Sequence, residues 1–91
     1  MERLRNEFSD SEKWIESQVK ILLSQYFSVA QWHISSRSRL VEDLNADSMS
    51  VVEIVMIVEG LFDVVLSPSQ ISEWRFVADI VDSIARLRVA T

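Results

Sequence analysis

The sequence predicts an all-α fold, a bundle of three long helices and one short helix. Glycine and proline each occur once among 91 residues, whereas sandwiches and barrels need many tight turns that use both. Hydrophobic residues make up 48% of the chain, which is enough for one core. The length fits a single domain over residues 1–91, with its core at about residues 10–88.

The first helix is predicted over about Asp10 to Gln25. Ser9 to Glu12 has the Ser-x-x-Glu form of a capping box, which satisfies free backbone N–H groups where a helix begins. The residues at helical spacing in the first helix are mostly apolar: Trp14, Ile15, Gln18, Val19, Leu22, Leu23 and Tyr26.

The polar stretch Ser28 to Arg39 then predicts a long surface loop, in which Trp32 and Ile34 pack against the core.

The second helix is predicted over Ser48 to Phe62. Asp47 is a favourable N-cap residue, which makes Ser48 the first helical residue. The following 14 residues, Met49 to Phe62, are almost continuously apolar, so periodicity alone also allows a buried strand. We favour a helix because this run is long for a strand.

Two further helices follow. Ser67 to Gln70 is a second capping box, with Pro68 at the first helical position, and opens a short third helix that ends near Glu73. A fourth helix is predicted over about Phe76 to Arg88 because apolar residues recur at i, i+3, i+4, i+7 and i+10. These residues are Val77, Ile80, Val81, Ile84 and Leu87.

The composition narrows the classes of function. The chain has no Cys and one His, His33, so disulfides, thiolate metal sites and a nucleophile–base–orienter set are not expected. A net charge of −5 disfavours binding to nucleic acid and favours basic protein surfaces. Met1 to Asp10 lacks the apolar run of a signal peptide, and no apolar run is long enough to span a membrane. We therefore expect a cytoplasmic monomer that is not an enzyme and does not insert into membranes.

The three tryptophans, Trp14, Trp32 and Trp74, could line an aromatic ligand site, but packing is favoured in so small a core.

One segment carries a specific pattern. Val41 to Met49 reads Val-Glu-Asp-Leu-Asn-Ala-Asp-Ser-Met. It closely resembles the attachment motif of the acyl carrier protein family, commonly Val-Glu-Asp-Leu-Gly-Ala-Asp-Ser-Leu. Glu53 to Met56 is similar to the family's Glu-Leu-Val-Met, and Glu59, Phe62 and Asp63 match its Glu-x-x-Phe-Asp. The resemblance covers most of the chain, from about residue 11 to residue 87, and implies the four-helix bundle of that family.

The resemblance implies a role for Ser48. This serine would be esterified by the phosphate of 4′-phosphopantetheine, donated by coenzyme A, and the terminal thiol of the arm would hold acyl groups as thioesters. Asp47 would act as N-cap and as a contact for the phosphopantetheinyl transferase. No base near Ser48 could activate it, so the transferase and its metal ion would do so. At the start of a helix, the phosphodiester would meet free N–H groups.

The resemblance also implies docking to partner enzymes of ketosynthase or acyl-transferring type, in fatty acid, lipid or polyketide-type biosynthesis. An acidic set surrounds the second helix (Glu42, Asp43, Asp47, Glu53, Glu59 and Asp63), either as a solvated face or as a docking surface for Lys and Arg. The residues we expect to contact partners are Met49, Val51, Glu53, Met56, Ile57 and Glu59.

The chain departs from the family pattern at several positions. Ser50 stands where Asp is common, and Gly60 and Leu61 stand where Glu is common. A second helix with less acid and more apolar surface suggests a specialised carrier that docks partly through apolar contacts. Phe76 replaces a capping Thr, and bulky rings at Trp74 and Phe76 would narrow the family's acyl cleft between helices two and three. Two alternatives remain: a carrier of amino acids, and a carrier-like interaction module without an arm.

Overall fold

The computed structural model describes residues 10–89. The helices are α1 (Asp10–Phe27), α2 (Ser48–Phe62), α3 (Pro68–Ser72) and α4 (Val77–Val89), with a 3-10 turn at Gln31–His33. Within this range the only strand-like feature is one isolated bridge between Arg39 and Phe76, so the all-α prediction is confirmed. The predicted capping box at Ser9 lies outside the described residues.

The core forms where α1, α2 and α4 meet, and α1 and α4 pack most closely. Each helix contributes residues at helical spacing, and each of these side chains is at most 2% exposed. They are Ile15, Val19 and Leu23 from α1, Ile54, Val58 and Phe62 from α2, and Val77, Ile80, Val81 and Ile84 from α4. None of the described helices is both long and apolar enough to cross a membrane.

The long loop between α1 and α2 is held by aliphatic side chains. Ile34 is buried, as predicted, but the prediction that Trp32 packs inward is wrong, because its side chain is 85% exposed. Trp32 lies in the 3-10 turn and contacts the neighbouring ring of His33 at 5.7 Å between centroids. Leu40, Leu44 and Ala46 are buried instead and attach the loop to the core.

The end of α2 is fixed by contacts from other elements. Asp63 adopts the left-handed conformation at φ 56°, and its N–H donates to the carbonyl of Glu59. Arg88 Nη1 on α4 donates to the carbonyl of Phe62 at 3.3 Å. A Cβ added at Gly60 would meet nothing within 4 Å, so space does not require glycine here. Glycine in a helix interior costs about 1 kcal/mol relative to alanine.

Trp74 and Phe76 lie in the short connection to α4. Trp74 is half-buried, and its Nε1 donates to Ser83 Oγ on α4 at 2.9 Å. Phe76 does not cap α4. Instead, Asp79 Oδ2 accepts the N–H groups of Arg75 and Phe76 at 2.8 and 2.9 Å. The three tryptophans contact different partners, Phe62, His33 and Ser83, so the described residues do not form an aromatic box.

Candidate attachment site

Ser48 is the first residue of α2, and its position is set by a reciprocal cap. Asp47, the predicted N-cap, has extended backbone, and its Oδ1 accepts the Ser50 N–H at 2.8 Å. Ser50 Oγ accepts the Asp47 N–H in return, also at 2.8 Å. This capping box satisfies two backbone donors and leaves the Ser48 side chain exposed at the end of the helix.

Ser50 has a structural role that the sequence alone does not predict. It stands where the family commonly has Asp, yet here it is buried, and its hydroxyl also donates to the Asp47 carbonyl at 3.0 Å. Three hydrogen bonds therefore join Ser50 to Asp47. Capping therefore explains serine at position 50 better than partner docking does, because a buried side chain offers no surface to a partner.

The start of α2 is less open to an anion than we predicted. The phosphodiester was expected to meet free N–H groups, but the Ser50 N–H is already bonded to Asp47. The hydrogen bond from this amide is the main reason that the pKa of Asp47 lies below its ordinary value of 3.8. Asp47 is therefore a carboxylate at neutral pH, and a phosphate on Ser48 would have this negative charge as its neighbour.

The lowered pKa of Asp47 predicts a loss of stability in acid. A carboxyl group with a lowered native pKa stabilises the fold above its unfolded pKa, and this contribution disappears as the pH falls through the native pKa. Asn also caps helices well but does not titrate. We therefore expect the unfolding free energy of Asp47→Asn, measured by urea denaturation, to fall less than that of the native protein as the pH drops below about 4. If the unfolding free energies of the two proteins fell equally with pH, this account would be contradicted. Asp43, whose pKa is lowered by Arg39, also contributes to the loss of stability in acid, but it is present in both proteins and cancels in the comparison.

The predicted apolar docking residues do not all face solvent. Met49 and Met56 are 70% and 66% exposed, and Ile57 is partly exposed. Val51 instead packs partly against the core, whereas its neighbour Val52, which we did not single out, is exposed. We define the outer face of α2 as Met49, Val52 and Met56, which are spaced i, i+3 and i+7.

Two of the predicted acidic docking residues are bonded within the protein. Glu53 accepts a hydrogen bond from the Tyr26 hydroxyl on α1, and this bond raises the pKa of Tyr26 above 10.0. Glu59 is half-buried, and its Oε2 accepts the Leu66 N–H at 2.9 Å, which fixes the loop after α2. A partner that docks to either carboxylate would compete with these bonds, so docking through Glu53 and Glu59 remains a prediction.

Comparisons with known proteins decide the family. No family model matches the chain. The acyl carrier protein of Buchnera aphidicola subsp. Baizongia pistaciae is 33% identical over 72 residues, which cover 79% of this chain and 92% of that protein. The acyl carrier protein of Campylobacter fetus subsp. fetus is 35% identical over 71 residues, covering 78% and 92%. The chain belongs to the acyl carrier protein family. Its role is accordingly that of an acyl carrier.

Solved structures agree with this family assignment at the level of the fold. The crystal structure of an acyl carrier protein from Thermotoga maritima superposes with a TM-score of 0.76 at 20% identity, over 92% of this chain and 98% of that one. The predicted acyl-carrier-type bundle is therefore confirmed.

Proposed function

We propose that this protein carries acyl groups as thioesters on a 4′-phosphopantetheine arm esterified to Ser48, and that it catalyses no reaction itself. The observation that carries the proposal is the exposed Ser48 hydroxyl on the first residue of α2, directly after the Asp47 cap, in a chain of this family. Nothing about the fold requires serine here, because the cap uses the side chains of Asp47 and Ser50.

The surroundings of Ser48 fit an attachment point better than a catalytic serine. No hydrogen bond to its Oγ is found within residues 10–89, so no base prepares it to attack a substrate. The arm would supply a thiol that holds the acyl group. The role of this chain would be to present Ser48 to a phosphopantetheinyl transferase, which brings the metal ion and the base.

Partner enzymes would contact α2 beside Ser48. The outer face of α2 offers two methionines and a valine, and Met side chains adapt to differently shaped partners. The net charge of −5 would attract basic surfaces and speed association, while apolar contact would supply much of the affinity. We propose a specialised carrier for enzymes of ketosynthase or acyl-transferring type.

The test is intact-protein mass spectrometry after incubation with coenzyme A, magnesium and a promiscuous phosphopantetheinyl transferase. The native chain should gain one phosphopantetheine, and Ser48→Ala should gain none. Ser69→Ala is the matched control, since Ser69 is an exposed serine near the start of α3, and this variant should be modified like the native chain. Absence of modification in a folded, previously unmodified preparation would overturn the proposal and favour an interaction module without an arm.

A further inference from the structure

Tyr26 of α1 is hydrogen-bonded to an acidic residue of the predicted docking set on α2. It lies in the last turn of α1, and its hydroxyl donates to Oε1 of Glu53. Glu53 follows Ser48 by five residues on the same helix. Of the two carboxylates in the docking set, Glu53 is exposed and Glu59 is half-buried. The bond therefore engages the carboxylate that is more accessible to a partner.

The ring of Tyr26 is held by packing. It packs against the core and meets the ring of Phe27 edge-on at 5.0 Å between centroids. The bond to Glu53 is exposed, and the hydroxyl is the only polar group of the side chain. A partner can therefore break the bond without unpacking the ring. For the same reason, the substitution Tyr26→Phe removes the bond and keeps the packing.

Tyr26 is a hydrogen-bond donor at neutral pH. The bond to Glu53 is the main cause that raises the pKa of Tyr26 above 10.0, and burial and the negative charges of Glu53 and Asp47 raise it further. The hydroxyl is therefore protonated at neutral pH. The effect of Asp47 also shows that the hydroxyl lies within electrostatic range of the carboxylate that directly precedes Ser48, so this bond belongs to the surface around the attachment serine.

A cation and a neutral donor from a partner would compete unequally with Tyr26. A lysine or arginine brings a positive charge to the Glu53 carboxylate, and this Coulomb attraction adds to the hydrogen bond that it forms. A serine or asparagine would only exchange one neutral donor for another. Contact with Glu53 therefore contributes to affinity when the partner is cationic, and contributes little when it is neutral.

We propose that Tyr26 is a positioning residue for docking, which holds the Glu53 carboxylate in competition with partner enzymes, so that contact with Glu53 favours binding only for a partner that presents Lys or Arg there. This inference rests on the proposed function, in which partner enzymes contact α2 beside Ser48. Tyr26 acts through Glu53 and sets the chemistry of the partner residue that can use this carboxylate.

The experiment is a double-mutant cycle on the complex with the promiscuous phosphopantetheinyl transferase, with Ser48→Ala in every protein to prevent modification. Tyr26→Phe should lower the dissociation constant by about twofold to tenfold, the equivalent of one net hydrogen bond. Glu53→Ala should weaken binding, and in this background Tyr26→Phe should have no further effect. Glu42→Ala is the matched control, since it removes an exposed carboxylate that is not bonded to Tyr26, and the effect of Tyr26→Phe should persist there.

A spectroscopic readout follows the bond itself. Tyr26 is the single tyrosine of the sequence, so a ¹³C label on tyrosine Cζ reports on this residue alone. Binding of the unlabelled transferase should move this signal towards its position in Glu53→Ala, because the hydroxyl loses its acceptor. A signal that stays in place, or binding by Tyr26→Phe that is no tighter, would overturn the inference. Failure of the native chain to gain phosphopantetheine would instead overturn the proposed function.

Discussion

Phe62→Ala should lower the free energy of unfolding by about 3–5 kcal/mol, the usual cost of removing a buried aromatic ring. Phe62 is 2% exposed, and the ring of Trp14 meets it edge-on at 5.8 Å between centroids. Truncation leaves a cavity where α1, α2 and α4 meet, and removes this aromatic pair. A loss of this size is a large share of the roughly 5–15 kcal/mol that stabilises a typical domain. Urea denaturation of the native and variant proteins measures it.

Phe76→Ala is the control for this variant. Phe76 is 40% exposed, so its truncation removes less buried surface and leaves no closed cavity, and it should cost clearly less than the truncation of Phe62. The bond from Arg88 to Phe62 uses a backbone carbonyl and should survive both substitutions, so it does not enter the comparison. Equal losses for the two variants would contradict the assignment of Phe62 to the centre of the core.

The double variant Met49→Gln, Met56→Gln should weaken binding to the phosphopantetheinyl transferase by about tenfold to a hundredfold. Both side chains are exposed in the free protein, and each would contribute about 1.5 kcal/mol or more if fully covered by a partner. Glutamine keeps the length, the charge and the helix propensity of the position, so the loss isolates apolar contact. The measurements are KM for the modification of Ser48 and the dissociation constant of the Ser48→Ala complex.

Salt separates apolar docking from charge-driven docking. Raising the ionic strength screens exposed charges but leaves apolar contacts in place. We expect high salt to slow association while most of the affinity persists. The Glu42→Gln variant removes an exposed charge within the attachment motif and should affect mainly the association rate. Complete loss of binding at high salt, with no effect of the methionine variant, would favour docking through the acidic residues alone.

Local signals in the sequence predicted the helices well. The Ser67 and Gln70 box and the Asp47 cap act over three residues, so the sequence contains all that is needed to predict them. The predicted bounds of α2 are confirmed, and α1 continues to Phe27, past the predicted end at Gln25. Trp32 was misplaced because a hydrophobic residue in a loop carries no periodicity that indicates which way it faces.

The site was less predictable than the helices. The attachment motif singles out Ser48, but α2 is apolar on nearly all sides, so the pattern could not distinguish exposed Val52 from half-buried Val51. The bond between Tyr26 and Glu53 joins residues 27 positions apart, and nothing local predicts it.

The last turn of α2 has a low intrinsic helicity, and this affects how the protein unfolds locally. Gly60 lowers the intrinsic helicity of this turn, which is held instead by the Glu59 bond to Leu66 and the Arg88 bond to Phe62. Since Arg88 belongs to α4, the turn should not fray independently from its own end. Its backbone amides should become accessible to hydrogen exchange together with those of α4, which makes the two segments one cooperative unfolding unit despite their separation along the chain.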